Sequence, residues 1–301
     1  MIPDQPSPAH LKAMVGIAVH NEEATIQRTF DALMEGLPKE IESICVVSSS
    51  NDRTDEIVLS HGKIDSRVKL CRHGPRKGKA TAINKILELG RNHDVIVSLG
   101  GDNVPETHAI RNLVEALRDE GVGIVGGRPV PLNSLDDFLG YCAHMVMNLH
   151  HLVSLNYPKI SGELFAFKTG VISEIPSRTV NDDVWLQFLF EIKGLKAKYV
   201  PISRVYLMGP TSLTDFIEQR RRVFVGHLQA ERLLGRKVPT NRLSVLKLIH
   251  KAAPRIGTKG LVFTVLFLFL TGMARLAAYW DVLNRNFPYR WKAVATTKRL
   301  V

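Results

Sequence analysis

The chain has 301 residues, of which 45% are hydrophobic and 23% are charged, and its formal net charge is +11 at pH 7. This composition excludes a disordered or fibrous protein. The length is sufficient for one large α/β domain or two smaller ones. Its three cysteines, Cys45, Cys71 and Cys142, lie far apart without CxxC spacing. That spacing argues against a disulfide framework or a zinc site and favours a reducing compartment.

The first part of the chain alternates strand and helix patterns. Apolar segments rich in β-branched residues predict strands at 14–19, 43–48, 68–72, 94–99 and 122–127. Segments with apolar residues at helical spacing predict helices at 22–36, 52–62, 79–90 and 106–121, several of them ending in Gly. This alternation is typical of a doubly wound α/β sheet, whose ligand crevice lies at the carboxyl ends of the strands.

Beyond Gly127 the pattern changes to longer helices. A helix over 134–157 is predicted to cross the crevice, and a short apolar stretch follows at 160–168. A helix running into a strand is predicted over 180–201, and a strongly basic amphipathic helix over 211–237.

The positive charge is concentrated in the C-terminal third. Residues 1–200 carry 22 Lys and Arg against 25 Asp and Glu, whereas residues 201–301 carry 18 against 4. Such asymmetry indicates an anionic partner, either nucleic acid or membrane. The apolar run Gly260–Trp280, with Lys259 before it and Tyr279-Trp280 at its end, favours anionic membrane lipids over nucleic acid.

The apolar run leaves its membrane geometry open. It is slightly short for a span of about 20 apolar residues and is interrupted by Arg275. A full span, an interfacial helix and a buried core helix are the three alternatives. The first 13 residues are polar and Pro-rich rather than signal-like, so we expect the rest of the chain at the cytoplasmic face of the membrane.

Polar residues follow the first two predicted strands. Asn21 and Glu22 lie where the first strand gives way to a helix, a position suited to ligand contact or to helix capping. The turn Ser48–Thr54, with Ser49 and Asp52, offers hydroxyls and backbone amides to a nucleoside, but ordinary turns have the same composition.

Charged residues follow the next two strands. Arg76, Lys77 and Lys79 surround Gly78 at a helix start, which suits either a phosphate or a solvated turn. Asp102 follows the fourth strand, where a carboxylate either binds Mg²⁺ or Mn²⁺ on a diphosphate or simply closes a turn.

Two further charged groups lie in the helical part. Asp182 and Asp183 begin an apolar helix, where acids favour the helix dipole or act as a general base. The segment Gln219–Arg222, QRRR, either holds a diphosphate through guanidinium forks or forms a solvated or lipid-facing helix surface.

The order of these motifs is more specific than any one of them. VGIAVHNEEATI, VVSSSNDRT, GKATAIN, LGGDNVP, ISGELFAFK, NDDVWL and QRRRV follow one another over about residues 13–230. In this order they resemble the family 2 glycosyltransferases, which have the A-type nucleotide-sugar-binding fold, GT-A. The resemblance implies an α/β fold with a mixed, mainly parallel sheet flanked by helices over 1–230. We expect residues 231–301 to form a basic, membrane-associating helical region.

The resemblance also implies roles for individual residues. It makes Asp183 the general base beside Asp182, and Asp102 the metal ligand for Mg²⁺ or Mn²⁺. The residues that it places at the nucleotide sugar are Asn21, Glu22, Ser48, Ser49, Asp52, Lys79, Asn84, Asp102, Gln219 and Arg222.

Three positions depart from the family pattern. Gly100 replaces the first acid of the D-x-D motif, and Ser48 and Ser49 replace a pair of aspartates that commonly face the base and ribose. Val223 replaces the tryptophan common in polymer-making members, which argues against a processive polysaccharide synthase.

We therefore expect an inverting, metal-assisted glycosyltransferase that moves one sugar from a nucleotide diphosphate sugar to an acceptor hydroxyl or lipid phosphate. The missing acids at Gly100, Ser48 and Ser49 motivate an alternative, a catalytically reduced scaffold that binds a nucleotide sugar or a partner at the membrane. A nucleotidyltransferase is a third possibility, but it leaves the Asp182-Asp183 and QRRR motifs without a role.

Overall fold

A computed structural model describes residues 11–241, 243–290 and 297. The first 13 residues, which do not resemble a signal peptide, lie mostly outside the described residues. Eight strands form one sheet: β1 Ala13–Val19, β2 Ile41–Ser48, β3 Val68–Arg72, β4 Val95–Gly100, β5 Val104–Pro105, β6 Val122–Pro131, β7 Leu164–Lys168 and β8 Lys196–Leu207.

The sheet has the order β3-β2-β1-β4-β7-β6-β8-β5 and is mainly parallel. The neighbours β3, β2, β1 and β4 are parallel, as are β6 and β8. Strand β7 runs antiparallel to both β4 and β6, and β5 runs antiparallel to β8. This mixed, mainly parallel sheet confirms the predicted fold class.

The register brings the ends of three parallel strands together. Val19 lies opposite Ser48 and Ala18 lies opposite Gly100, so β1, β2 and β4 all end at the same edge of the sheet. The polar residues that follow these strands are therefore neighbours in space, although up to 80 positions separate them in the sequence.

The described residues form nine α-helices: α1 Ile26–Glu35, α2 Thr54–Ile64, α3 Lys79–Leu89, α4 Ala109–Ala116, α5 Phe138–Ser154, α6 Asp182–Ile192, α7 Leu213–Leu234, α8 Ile249–Ala252 and α9 Thr258–Leu283. Residues of α1, α2 and α4 pack on one face of the sheet. Residues of α3 and α6 pack on the other. The sheet is therefore buried on both faces, which explains its continuous apolar strands.

Helix α1 begins four residues later than predicted. The backbone carbonyl of Glu22 accepts hydrogen bonds from the amides of Thr25 (2.9 Å) and Ile26 (2.8 Å), so the chain makes a separate turn before the helix. This turn keeps Asn21 and Glu22 outside the helix and at the edge of the sheet.

The C-terminal helices form a third layer. Helix α9 packs against α7, where Ala274 and Ala278 contact the cluster that contains Phe224 and Val225. It also packs against α5, where the hydroxyl of Tyr141 donates to the carbonyl of Gly260 (3.0 Å). Helix α7 continues past residue 230, so the predicted domain boundary falls within a helix.

A buried ion pair ties α7 to the far end of α9. Arg221 Nε and Nη2 donate to Asp281 Oδ2 (2.5 Å) and Oδ1 (2.6 Å). The Asp281 side chain is 4% exposed, and Asn286 Nδ2 also donates to its Oδ1 (3.0 Å). Contacts to the rest of the chain thus run from the first to the last turn of α9.

The opposite face of α9 is exposed and apolar. Its exposed large side chains are Leu261, Val262, Val265, Leu266, Leu268, Phe269, Met273, Leu276, Tyr279, Trp280 and Leu283. Within the described part of the chain, α9 is the one helix long and apolar enough to cross a membrane, and most of its side chains are exposed. A core helix would be covered on all sides, so the buried-core alternative for this run is wrong.

Candidate active site

Two cavities adjoin at the carboxyl edge of the sheet. The first has a volume of about 240 Å³ and lies at the ends of β1, β2 and β4. The second, of about 340 Å³, lies among α5, α6, α7 and α9. Both are lined by Lys79, Gly162, Glu163, Gln219 and Arg222, so these residues mark a junction between the cavities.

The first cavity is built by strand ends and one helix start. His20 and Glu22 reach it from the end of β1, and Ser49 from the end of β2. Gly78 has φ +110 directly before α3, a conformation that suits glycine, and this turn places Lys79 in the first turn of the helix at the cavity wall. Backbone amides at a helix start and a lysine side chain both favour an anion.

Glu22 is the acid on the β1 side of this cavity. It is 9% exposed, and its carboxylate accepts a hydrogen bond from the Thr25 hydroxyl (3.1 Å). Burial lowers the pKa of the nearby Arg76 guanidinium, and the charge of Glu22 opposes that shift. Arg76 lines the same cavity, so a carboxylate and a guanidinium group lie at one site.

Three of the predicted nucleotide-sugar contacts stabilise the adjoining loops and do not line either cavity. Asn21, at φ +57, accepts a hydrogen bond from the amide of Asn51 (2.9 Å). Buried Ser48 donates to Asp55 (2.5 Å), and Asp52 accepts from the amide of Thr54 (3.0 Å). Their polar groups are used by the loop itself, so it is Ser49 that faces the cavity from this loop.

Asp102 lines the first cavity beside Gly100 and Asn103. A Cβ placed on Gly100 would overlap Asn103 Nδ2, and it would lie 3.2 Å from Asp102 Oδ1. Asn103 is buried and its Nδ2 donates to the carbonyl of Glu163 (3.2 Å). The buried amide of Asn103 therefore occupies the space that a side chain at position 100 would need, and Asp102 is the single acid of this turn.

A compact charge cluster lies at the junction of the cavities. Lys79 Nζ is 3.2 Å from Asp182 Oδ2, and Lys159 Nζ is 3.8 Å from Asp183 Oδ2. Burial alone would lower the pKa of Lys79, but the carboxylates of Asp182 and Asp183 outweigh it and hold that pKa above its ordinary value. Lys79 is therefore an ammonium ion at neutral pH.

The two aspartates differ in their surroundings. Asp182 and Asp183 are the first residues of α6, where the helix dipole favours carboxylates. The Asp182 side chain is 6% exposed and faces Lys79, whereas that of Asp183 is 13% exposed. Both line the second cavity. Asp183 is thus the more accessible acid beside the junction.

Helix α7 carries Gln219 and Arg222 to both cavities. Burial lowers the pKa of Arg222 to about 10, and the neighbouring Arg220 lowers it as well. A pKa of about 10 leaves the guanidinium charged at neutral pH. Because Arg222 faces both cavities, a charge in either one is within its reach.

Asn84 is the remaining predicted contact, and it lies away from both cavities. Its side-chain amide donates to the carbonyl of Ile175 (2.8 Å) and accepts from the amide of the same residue (2.9 Å). Both ends of the amide are therefore used to hold the chain after β7. The structure brings together Glu22, Ser49, Lys79, Asp102, Asp182, Asp183, Gln219 and Arg222, and it places Asn21, Ser48, Asp52 and Asn84 in supporting positions.

The sequence patterns gave no sign of several residues that line the second cavity. Lys159 and His150 are buried in its wall, and Arg275 reaches it from the apolar helix α9. Burial and the charge of Lys159 lower the pKa of His150 to about 3, so its imidazole is neutral. An arginine inside an apolar run was a possible signal for Arg275, because such residues are costly unless they have a function.

Two family descriptions match the sequence. Glycosyl transferase family 2 matches residues 14–161, and Glycosyl transferase family group 2 matches residues 95–291, which is more than half of the chain.

The curated relatives are longer proteins. The poly-beta-1,6-N-acetyl-D-glucosamine synthase of Staphylococcus aureus (strain COL) is 22% identical over 221 residues, which cover 68% of this chain and 52% of the relative. The enzyme of the same name from Staphylococcus epidermidis is 22% identical over 272 residues, covering 85% and 64%. The chain therefore spans about half to two thirds of the length of these relatives.

Solved structures share the fold. The mannosyltransferase PcManGT from Pyrobaculum calidifontis, in complex with GDP-Man and Mn²⁺, matches with a TM-score of 0.59 and 22% identity over 95% of this chain and 84% of that chain. Glucosyl-3-phosphoglycerate synthase from Mycobacterium tuberculosis, with Mn²⁺, UDP and glucosyl-3-phosphoglycerate, matches with a TM-score of 0.53 and 17% identity, covering 75% and 80%. These likenesses agree with the mixed sheet and the strand-end cavity. The chain belongs to the family 2 glycosyltransferases and has their GT-A fold.

Proposed function

We propose that this protein transfers one sugar from a nucleotide diphosphate sugar in the first cavity to an acceptor in the second, with inversion at the anomeric carbon. One observation carries this proposal: the two cavities meet at Lys79, Glu163, Gln219 and Arg222, beside the carboxylate of Asp183. A donor on one side and an acceptor on the other would bring the reacting atoms together at this junction.

The first cavity suits a diphosphate. Lys79 is a half-buried ammonium at a helix start, and Arg222 is a half-buried guanidinium that lines the same cavity. Both would neutralise the charge that develops on the leaving diphosphate, and such preorganised charges usually contribute most to catalysis. In support, a solved structure with this fold is that of a mannosyltransferase in complex with GDP-Man and Mn²⁺.

Asp102 fits a divalent cation as its one protein carboxylate. Among the described residues no group of three or more His, Cys, Asp or Glu side chains forms a ready cation site, and position 100 is a glycine beside the Asn103 side chain. Hard cations such as Mg²⁺ and Mn²⁺ are often bound by one or two carboxylates together with substrate phosphates, which agrees with this donor set. A cation bound there would stabilise the negative charge of the leaving group.

Asp183 would act as the general base. It would take the proton of the acceptor hydroxyl while the acceptor oxygen forms a bond to the anomeric carbon. The bond from that carbon to the diphosphate oxygen breaks, and its electron pair leaves with the diphosphate. Lys159 Nζ, 3.8 Å from Asp183 Oδ2, would hold this carboxylate in position beside the junction. An acceptor phosphate, already ionised, would need no base.

We also propose that the protein works at the cytoplasmic face of a membrane, with α9 lying in the interface. Helix α9 has 26 residues and so is about 39 Å long, and α5 and α7 cover its inner face from Gly260 to Asp281. A full span would carry Arg221 and Glu218 of α7 into the hydrocarbon, which is costly for charged groups. The exposed Lys251, Arg255 and Arg285 flank the apolar face and favour anionic lipids.

The donor is identified by thermal stabilisation of the full-length protein. UDP-, GDP-, CDP- and dTDP-sugars are each tested with and without Mn²⁺, because a ligand that binds the folded state raises the melting temperature. One donor class is expected to stabilise the protein, and more strongly with Mn²⁺. Transfer is then followed with that donor, and inversion is checked from the anomeric configuration of the product. Donor binding without transfer or hydrolysis would support the scaffold alternative instead.

A further inference from the structure

Among the residues that the structure describes, two arginines of the second cavity, Arg220 on α7 and Arg275 on α9, form no ion pair. Arg220 Cζ lies 5.3 Å and Arg275 Cζ lies 5.0 Å from the centre of the Phe224 ring. Arg275 Nη2 donates to Asn241 Oδ1 (3.0 Å), and Arg221, next to Arg220 on α7, pairs with Asp281. Two like charges that share one aromatic ring are stabilised only in part by cation–π contacts, so the site favours an anion between them.

Unpartnered polar atoms surround the same place. Among the residues that the structure describes, buried side-chain atoms without a hydrogen-bond partner belong to His150, Ser161, His227, Thr240 and Thr271, and Arg220 Nε is a further one. All of these residues line the second cavity. Buried polar groups in native proteins are nearly always hydrogen-bonded, so a group of them around one cavity indicates a polar ligand.

The charges of the cavity divide into two parts. At the junction, the negative charges of Asp182 and Asp183 offset the positive charges of Lys79 and Lys159. Arg220 and Arg275 line the second cavity and do not line the first, so their charge lies on the side of α7 and α9. The polar ligand expected on that side is therefore negatively charged.

We propose that Arg220 and Arg275 bind a phosphate group of the sugar acceptor. This inference rests on the proposed function, because it treats the second cavity as the acceptor site. The phosphate oxygens would accept hydrogen bonds from both guanidinium groups and from the hydroxyls of Thr240 and Thr271. The phosphate would thus be a binding group, and a hydroxyl elsewhere on the acceptor would face Asp183. The volume of about 340 Å³ is in the usual range for small-molecule sites.

Two sources of phosphate share this chemistry. Val146, Leu149 and Leu268 line the cavity as well, and Leu268 belongs to α9, whose outer face is apolar. A lipid-linked phosphate would enter along this side, whereas a water-soluble sugar phosphate would need the polar groups alone.

The test measures ligand binding by the full-length protein, with UDP and Mn²⁺ present in all samples to occupy the first cavity. The probes are inorganic phosphate, glucose 6-phosphate and dodecyl phosphate in neutral detergent, with glucose and detergent alone as controls. The phosphate-bearing probes are expected to raise the melting temperature, and the neutral controls are not. A greater effect of dodecyl phosphate assigns the lipid source, and an equal or greater effect of glucose 6-phosphate assigns the soluble one.

Variants locate the site. Arg275→Gln and Arg220→Gln are expected to weaken phosphate binding about 10- to 100-fold, because a hydrogen bond to a charged group is lost. Arg275→Lys should restore part of it, and Arg232→Gln, an exposed arginine on α7, should leave it unchanged. Equal stabilisation by glucose and glucose 6-phosphate, or unchanged phosphate binding in both Gln variants, would overturn the proposal. Because these readouts need no transfer, they fail independently of the proposed function.

Discussion

The two cavities of this protein are built in different ways. The first lies at the ends of β1, β2 and β4, and its residues follow the strands directly in the sequence. The second is enclosed by four helices whose residues range from Val146 to Arg275. Motifs therefore identify most of the first cavity but only the junction side of the second, whose remaining wall is formed when the helices pack together.

The cavities also differ in how well their polar groups are satisfied. In the loops around the first, Asn21, Asp52 and Glu22 have hydrogen-bond partners from the chain itself. Around the second, His150 and Thr271 are buried without one. The first cavity is thus supported by its own loops, whereas the second contains buried polar atoms that the described residues leave without a partner.

The largest expected effect separates chemistry from donor binding. Asp183→Asn should lower the transfer rate about 10²- to 10⁴-fold, because a general base typically contributes that much. Stabilisation by the donor should stay unchanged, since Asp183 lines the second cavity and not the first. Initial rates and melting temperatures measure the two effects. Asp31→Asn, an exposed acid on α1, is the control. A fully active, folded Asp183→Asn enzyme would contradict the assignment.

A smaller effect is expected to be confined to the first cavity. Asp102→Asn should weaken Mn²⁺-dependent donor binding roughly 10- to 100-fold, since contacts to charged groups contribute about 1.5–3 kcal/mol. Phosphate binding in the second cavity should be retained, because Asp102 does not line it. Melting curves with donor, with and without Mn²⁺, measure the loss. An undiminished effect of Mn²⁺ would place the cation elsewhere.

The packing of α9 is expected to matter for the second cavity alone. Asp281→Asn removes the negative charge that pairs with Arg221, so the free energy of unfolding should fall by about 1–3 kcal/mol. A fully buried ion pair would contribute more, but the Arg221 side chain is 44% exposed and solvent weakens the interaction. The acceptor KM should rise, since α9 carries Arg275, while donor binding stays the same. Denaturant unfolding and acceptor titrations measure these changes. The Arg221→Met variant and the double variant show whether the effect belongs to the pair.

The smallest effect concerns the membrane. Leu276 is 71% exposed on α9, and Leu276→Ser should weaken binding to anionic vesicles by up to about tenfold, because part of one leucine's burial contributes roughly 1 kcal/mol. Ile64→Ser, at the exposed end of α2, is the control. Co-sedimentation with vesicles measures binding. Equal losses in the two variants would mean that α9 has no special contact with lipid.

Much of the fold could be predicted from local patterns. The five strands predicted between residues 14 and 127 correspond to β1, β2, β3, β4 and β6 within a few residues, because their apolar runs pack in the core of the sheet. The start of α1 was predicted four residues early, because the turn after Glu22 depends on backbone hydrogen bonds that sequence spacing does not reveal. The antiparallel insertion of β7 between β4 and β6 joins segments distant in sequence, and no local pattern indicates it.

The candidate site was predictable in part for a similar reason. Lys79, Asp102 and Asp183, which the family resemblance assigns to the site, do line the two cavities, because strand ends and helix starts bring them to the same edge of the sheet. Ser48 and Asn84 were placed at the nucleotide sugar by resemblance alone, yet the structure uses their polar groups to hold neighbouring backbone and side chains. Position along the chain does not determine which way a side chain points.

Local sequence patterns were enough to predict the alternation of strands and helices, the family, the strand-end position of Asp102 and the apolar, cation-flanked segment at 260–280. Each of these depends on residues close together in the chain. Only the tertiary structure decided that α9 lies along α5 and α7, and that Arg220 and Arg275 share the ring of Phe224. Desolvation and charge pairing depend on which surfaces meet, and in the second cavity those surfaces come from helices that lie far apart in the sequence, from α5 to α9.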